Sequence, residues 1–159
     1  MEARHRVRTV GYWVLTVIVV WEMVAGSMWD LLRIEYTRGV FTHLGYPHYL
    51  LFILGAWKLP CAITLIVPGF PRLKEWAYAG AVFNYTGAAA SHLLVGDGPN
   101  QWMGPAIFAA ITLASWALRR VTPAPPTTPV RPVAWVVSLG AIGVFLVIAL
   151  LTLPKGPPP

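Results

Sequence analysis

ILGAWKLPC, residues 53–61, decides how this chain is read. The stretch lies inside a long apolar run, yet it carries a full charge at Lys58 and a proline two positions later, Pro60. What the lysine means depends on what the apolar run is. Of 159 residues, 57% are hydrophobic and only 11% charged, against roughly 25% charged in globular domains. So few charges cannot cover the surface of a soluble fold of this size. The mean hydropathy of +0.61 agrees, and the solvent is lipid.

The net charge of +6 sits in short clusters between the apolar runs. No basic stripe with interleaved aromatics is present, which argues against nucleic acid as a partner. Cys61 is the only cysteine. That excludes an intramolecular disulfide and any CxxC redox or zinc motif, and a lone cysteine in an apolar span reads as a small core residue.

Five segments, 11–28, 49–67, 76–95, 102–118 and 133–153, have about the length that crosses a hydrocarbon core. Val24-Ala25-Gly26 after a basic start resembles a signal-peptide cleavage site. Trp21 and Glu22 inside the apolar part, and the spans that follow, favour a retained helix instead. The expected fold is an all-α integral membrane protein, a four-helix transmembrane bundle over 1–120 with a fifth C-terminal transmembrane helix. The linker VTPAPPTTPVRP, 121–132, is expected to be extended and semi-rigid, and the tail 154–159 disordered. The fifth span reads as an anchor or a partner-facing helix. Arg4, Arg6, Arg8, Arg72, Lys74, Arg119, Arg120 and Arg131 fall on one side of such a topology, and Arg33, Arg38 and Lys155 on the other. The excess of Lys and Arg puts the N-terminus in the cytoplasm of a cell-membrane protein.

Segment 29–48 is long for a bare connection. DLLRIEY alternates charge with Leu, Ile and Tyr, and reads as a short amphipathic helix on the outer surface, ending at LGYP. It either lids a cavity or simply covers the bundle.

Four costly residues fall inside the spans: Glu22, Lys58, Asn84 and His92. An isolated charge at a helix centre costs about 2.5–3.5 kcal/mol on insertion scales, and such residues pair or mark function. At a rise of about 1.5 Å per residue, Glu22 and Lys58 lie at similar depths. Their side chains lean toward each other, because the two helices run in opposite directions. An ion pair between them is expected, since no other acid falls within the first four predicted spans. Pro60 frees the carbonyl of Ala56, a second acceptor for the ammonium or for a bound polar group. In the third span Gly80, Asn84, Gly87 and Ser91 share one face, with His92 at its edge. That face suits a close helix–helix interface or leaves room for a flat ligand held by Asn84 and His92. His43, His48 and Asp97 lie in outer segments nearby, but no ExxH or HxxxH pairing points to a metal. No phosphate loop or nucleophile elbow is present, and no catalytic residue is nominated.

WEMVAGSMWDLLR, THLGYPHYLLFILGAWK, GFPRLKEWAYAGAVFNYTGAAASHLLVGDG and LASWALRR resemble the DoxX-like membrane proteins over about 11–120. LGYP, the intramembrane lysine, RLKEWAYAG and TGAxxSH carry the resemblance. It implies a four-helix membrane bundle of a family named through a small subunit of a thiosulfate:quinone oxidoreductase, with Glu22, Lys58, Asn84 and His92 at the family's polar positions. It also implies that many relatives carry Asp at the Asn84 position, where an amide cannot act as a carboxylate base. A quinone as cofactor follows from the resemblance alone. Three functions stay open: a redox-associated membrane subunit binding a quinone or similar lipid-soluble molecule, a non-enzymatic assembly or chaperone-like partner of another membrane or redox protein, and a small-solute transporter or channel. The bilayer is the partner that composition dictates, and a homo-oligomer is compatible with all three.

Overall fold

The computed structural model describes residues 2–119 and 132–156. These form α1 (Glu2–Leu32), α2 (Glu35–His43), α3 (Tyr49–Ile66), α4 (Pro71–Leu94), α5 (Pro99–Leu118) and α6 (Pro132–Leu151). The described residues contain no strand, and the protein is an all-α membrane protein. Three helical segments are long and apolar enough to cross a bilayer: Arg4–Leu32, Tyr49–Ile66 and Pro132–Leu151. α4 and α5 are 24 and 20 residues long but more polar. Most of the linker, 121–131, and the last three residues of the tail, 157–159, lie outside the described residues.

The helix ends are written in the sequence. Proline opens α4, α5 and α6, the position where its missing N–H costs nothing. Three helices close in the same way. At α1, Arg33 adopts φ 49°, its N–H donates to the Asp30 carbonyl, and Ile34 N–H reaches the Trp29 carbonyl. At α2, Gly45 (φ 75°) donates to the Thr42 carbonyl and Tyr46 to that of Phe41. At α4, Gly96 (φ 84°) donates to the Leu93 carbonyl and Asp97 to that of His92. This paired 5→2 and 6→1 closure is the Schellman motif, which needs a left-handed residue and satisfies two orphan carbonyls. LGYP is therefore a helix stop with a glycine in the required place, followed by Pro47.

α1 is the central helix. Val19, Val20, Met23 and Val24 are completely or almost completely buried and share a core with Ala62 and Leu65 of α3, Tyr78, Ala81 and Tyr85 of α4, Ala109 of α5 and Ile142 of α6. A polar seam crosses this core. The Ser115 hydroxyl stands 2.8 Å from that of Thr16 and 2.9 Å from that of Tyr78, joining α1, α4 and α5. Lys74 donates to the Leu65 carbonyl at 2.8 Å, and Arg8 to the Leu118 carbonyl at 3.0 Å. Each basic side chain thus caps a helix C-terminus. Arg119 pairs with Glu75 and lies over the Tyr78 ring.

α6 packs on α1 and α3. Trp21 meets Phe145 edge-on at 5.6 Å, and Ser138 donates to the Ile66 carbonyl at 3.1 Å. The periphery is apolar, with Trp57, Trp76, Phe83 and Leu94 among the most exposed large side chains. That is the surface expected against hydrocarbon rather than water.

Candidate functional site

The four polar residues singled out in the sequence, Glu22, Lys58, Asn84 and His92, all line one cavity of about 460 Å³. α1 contributes Glu22, α3 Lys58 and α4 Asn84 and His92, while Val40, Phe41, Leu44 and Tyr46 of the α2 segment form part of its wall.

The partner expected for Lys58 needs correcting. Its ammonium donates to Asp30 at 2.8 Å, not directly to Glu22. The sequence alone places Asp30 in the outer segment 29–48. α1 has no breaker there and continues to Leu32, which carries Asp30 into the bundle, where it is 4% exposed. Glu22 and Asp30 lie eight residues apart, with Gly26 between them, on one face of α1. A Cβ on Gly26 would stand 3.1 Å from the Lys58 ammonium and 3.2 Å from Glu22 Oε1. The missing side chain is thus what lets lysine and glutamate approach each other over the helix.

Glu22 has its own direct partner. Tyr85 donates its hydroxyl to Glu22 Oε2, and the Tyr85 ring stacks on Phe108 of α5 with centroids 5.5 Å apart. The sequence reading does not single out Tyr85. Its position beside Asn84 was the available signal.

His92 is tied to the outer end of the bundle. Its Nδ1 lies 2.6 Å from Asp97 Oδ2, while His43 Nε2 at the end of α2 lies 2.7 Å from Asp97 Oδ1. The Gly96 closure folds the chain back so that Asp97 meets the His92 ring. Tyr46 and Ser91 hydroxyls meet at 2.7 Å. The α2 segment is thus fastened to the end of α4 by two polar contacts while its apolar side chains wall the cavity. His48 is not part of this and bonds Thr42 at 2.9 Å.

Hydrogen bonds from His92 and His43 hold the Asp97 carboxyl below its usual value of 3.8. A depressed carboxylate contributes above its unfolded pKa and is lost as pH falls through the folded one. Both rings can donate an N–H in their neutral form. Hydrogen-exchange protection of 40–46 is therefore expected not to fall from neutral pH down to about 4, and to fall below it. Asp97→Ala should speed exchange in that segment at every pH in this range while leaving α1 and α3 untouched. Protection that already fails between pH 5 and 7 in the wild type would contradict this account of the fastening.

The small-residue face of α4 also resolves. A Cβ built on Gly80 or Gly87 meets nothing within 4 Å, so these glycines border open space rather than a close helix neighbour. The close approach lies elsewhere. A Cβ on Gly55 would stand 2.8 Å from Leu31 Cγ and 3.0 Å from the Ser27 carbonyl oxygen, and Ser27 donates to the Gly55 carbonyl at 2.7 Å.

Chemically, the cavity offers hydrogen bonding without a committed partner. The Asn84 amide makes no hydrogen bond with the described residues, so both its donor and its acceptor face are unused. Lys58 has three donors, and Asp30 takes one. A polar, hydrogen-bonding molecule fits this set.

Comparison with curated proteins and with solved structures gives no match. The DoxX-like family model matches residues 14–115, from the middle of α1 almost to the end of α5, and so takes in every residue of the cavity; the chain belongs to the DoxX-like family.

Proposed function

We propose that this protein is a redox-associated membrane subunit whose bundle binds a quinone or a similar lipid-soluble carbonyl compound. The observation that carries the reading is the cavity of about 460 Å³ on which Glu22, Lys58, Asn84 and His92 converge. Its volume falls within the roughly 300–1,000 Å³ of small-molecule sites, which combine apolar walls with a few convergent polar groups. A quinone head needs donors at its carbonyl oxygens, and Lys58 and Asn84 can supply them. The proposal includes a cell-membrane location with all five long helices crossing and the N-terminus in the cytoplasm. Arg8, Lys74 and Arg119 gather at the end of the bundle away from α2, as the positive-inside tendency favours.

Duroquinone, a tail-less quinone with no free ring position for a thiol to attack, tests the reading on the full chain in phosphatidylcholine nanodiscs. Saturable quenching of tryptophan fluorescence is expected. Asn84→Leu and the double variant Asp30→Asn/Lys58→Met should each weaken it about tenfold, since each removes a hydrogen-bond donor to a quinone carbonyl, worth about 1–3 kcal/mol. Quenching that never saturates and is identical in both variants would reject the quinone site.

A second reading, a non-enzymatic assembly partner, is favoured by one observation: Lys58 is already satisfied by Asp30 within the chain. Stable co-purification with one enzyme and no small molecule would support it.

A further inference from the structure

A second cavity, about 530 Å³, lies between α3 and α4 and shares Leu54, Lys58, Phe83 and Asn84 with the first. Its other walls are apolar or small, including Pro60, Thr64 and Gly80. Its rim carries Trp57, Trp76 and Phe83, which are 72%, 77% and 73% exposed. The groove is therefore open on the apolar outer surface and ends at the polar cavity, with Lys58 and Asn84 standing where the two meet.

The geometry points to a single-chain amphiphile with an uncharged, hydrogen-bonding head, which enters sideways from the bilayer, lays its tail in the α3–α4 groove and turns its head into the Glu22–Lys58–Asn84 cavity. The inference rests on the reading that this cavity takes a ligand, and adds the ligand's charge, its tail and its route. Three observations carry it. The groove abuts the polar cavity at four shared residues, Leu54, Lys58, Phe83 and Asn84, so an occupant of one lies against the other. Lys58 is the only Lys or Arg lining either cavity among the described residues, and Asp30 already neutralises it at 2.8 Å. Glu22 adds no positive charge, and His92, the other basic group in the lining, faces Asp97 at 2.6 Å, so each cation there already has a carboxylate beside it and none is left for a phosphate or a carboxylate. The unengaged Asn84 amide at the junction suits a carbonyl or hydroxyl head, offering one donor face and one acceptor face. One groove between two helices takes one chain, which disfavours two-chain phospholipids on shape as well as on charge.

The test uses the full chain in phosphatidylcholine nanodiscs and two probes with the same diazirine-bearing lauroyl chain. One is 1-monolauroylglycerol and the other is laurate. After photolysis the neutral probe is expected to label the segments around Pro60 and Gly80, and laurate to label them about tenfold less, the ratio that ~1.4 kcal/mol produces. Gly80→Trp and Thr64→Trp fill the groove from opposite helices, and each should remove the label. Gly80→Ala, which adds a Cβ into open space, should keep it. Equal labelling by both probes, label spread over every lipid-facing helix, or label that survives both tryptophans would overturn the inference. Loss of label with a changed oligomeric mass in Gly80→Trp would mean that a second copy fills the groove, and would overturn it too. Duroquinone has no tail and separates the two readings. Localised label without duroquinone binding defeats the quinone alone, and duroquinone binding without localised label defeats the groove alone.

Discussion

Asp30→Asn is expected to destabilise the bundle by about 3–5 kcal/mol, because removing one partner of a buried pair leaves the other charge stranded. The stranded group is Lys58, whose side chain is 15% exposed against 5% for Asp30, with 2.8 Å between the charged atoms. Lys58→Met should cost a similar amount for the same reason. The double variant Asp30→Asn/Lys58→Met should recover most of the loss, because it leaves no unpaired charge. Glu22→Gln is expected to be milder for stability, since Lys58 keeps Asp30 and Tyr85 keeps an oxygen to bond. Thermal unfolding of all four variants in one detergent measures this. Additive losses in the double variant, or a Glu22→Gln cost as large as that of Asp30→Asn, would mean that Glu22 and not Asp30 holds the lysine.

The second large effect is at Gly55. Even a Cβ there meets Leu31 Cγ at 2.8 Å and the Ser27 carbonyl oxygen at 3.0 Å. A backbone atom cannot rotate away, so α1 and α3 must separate. Gly55→Val is expected to cost about 3 kcal/mol, the upper end of ordinary overpacking, and to break the Ser27 hydrogen bond in addition. Gly80→Ala is the control. Its Cβ finds open space, and the better helix propensity of alanine stabilises by up to ~1 kcal/mol. Two glycines in neighbouring helices should thus respond with opposite signs. Equal responses would show that neither site is packed as described.

This contrast marks the limit of what the sequence revealed. The stripe Gly80, Asn84, Gly87, Ser91 satisfied the pattern of a close interface, and Gly55 satisfied no pattern at all. Small residues permit close approach but do not compel it. Which helices approach is decided by bulky neighbours and by hydrogen bonds such as Ser27 to Gly55, and these appear only when the helices are assembled. The depth and lean of Lys58 were legible, because rise and side-chain direction follow from helix geometry. Its partner was not. Hydropathy ends a span at a charge, whereas a helix ends where its backbone closes, here at left-handed Arg33. Gly26 midway between Glu22 and Asp30 was the visible clue that the two acids address one object. A short helix ending at LGYP was legible but its body was not: DLLRIEY reads as that helix, whereas Asp30–Leu32 belong to α1, the chain turns at Arg33, and α2 begins only at Glu35. That it walls a cavity followed only from the contacts of Tyr46 and His43 with the far end of α4.

Arg8 has a consequence for how the protein is made. Its guanidinium donates to a carbonyl 110 residues later, at the end of α5. Residues of α1 leave the ribosome first, and Leu118 follows only after four more helices have been synthesised. Until then the first helix waits in the membrane with that arginine unsatisfied by protein, and the Thr16 hydroxyl waits for Ser115 in the same way. The closing step in assembling α1–α5 is therefore the meeting of its earliest and latest parts. A nascent chain halted before α5 presents an open, incompletely bonded flank of α1 to whatever surveys the membrane for unfinished proteins.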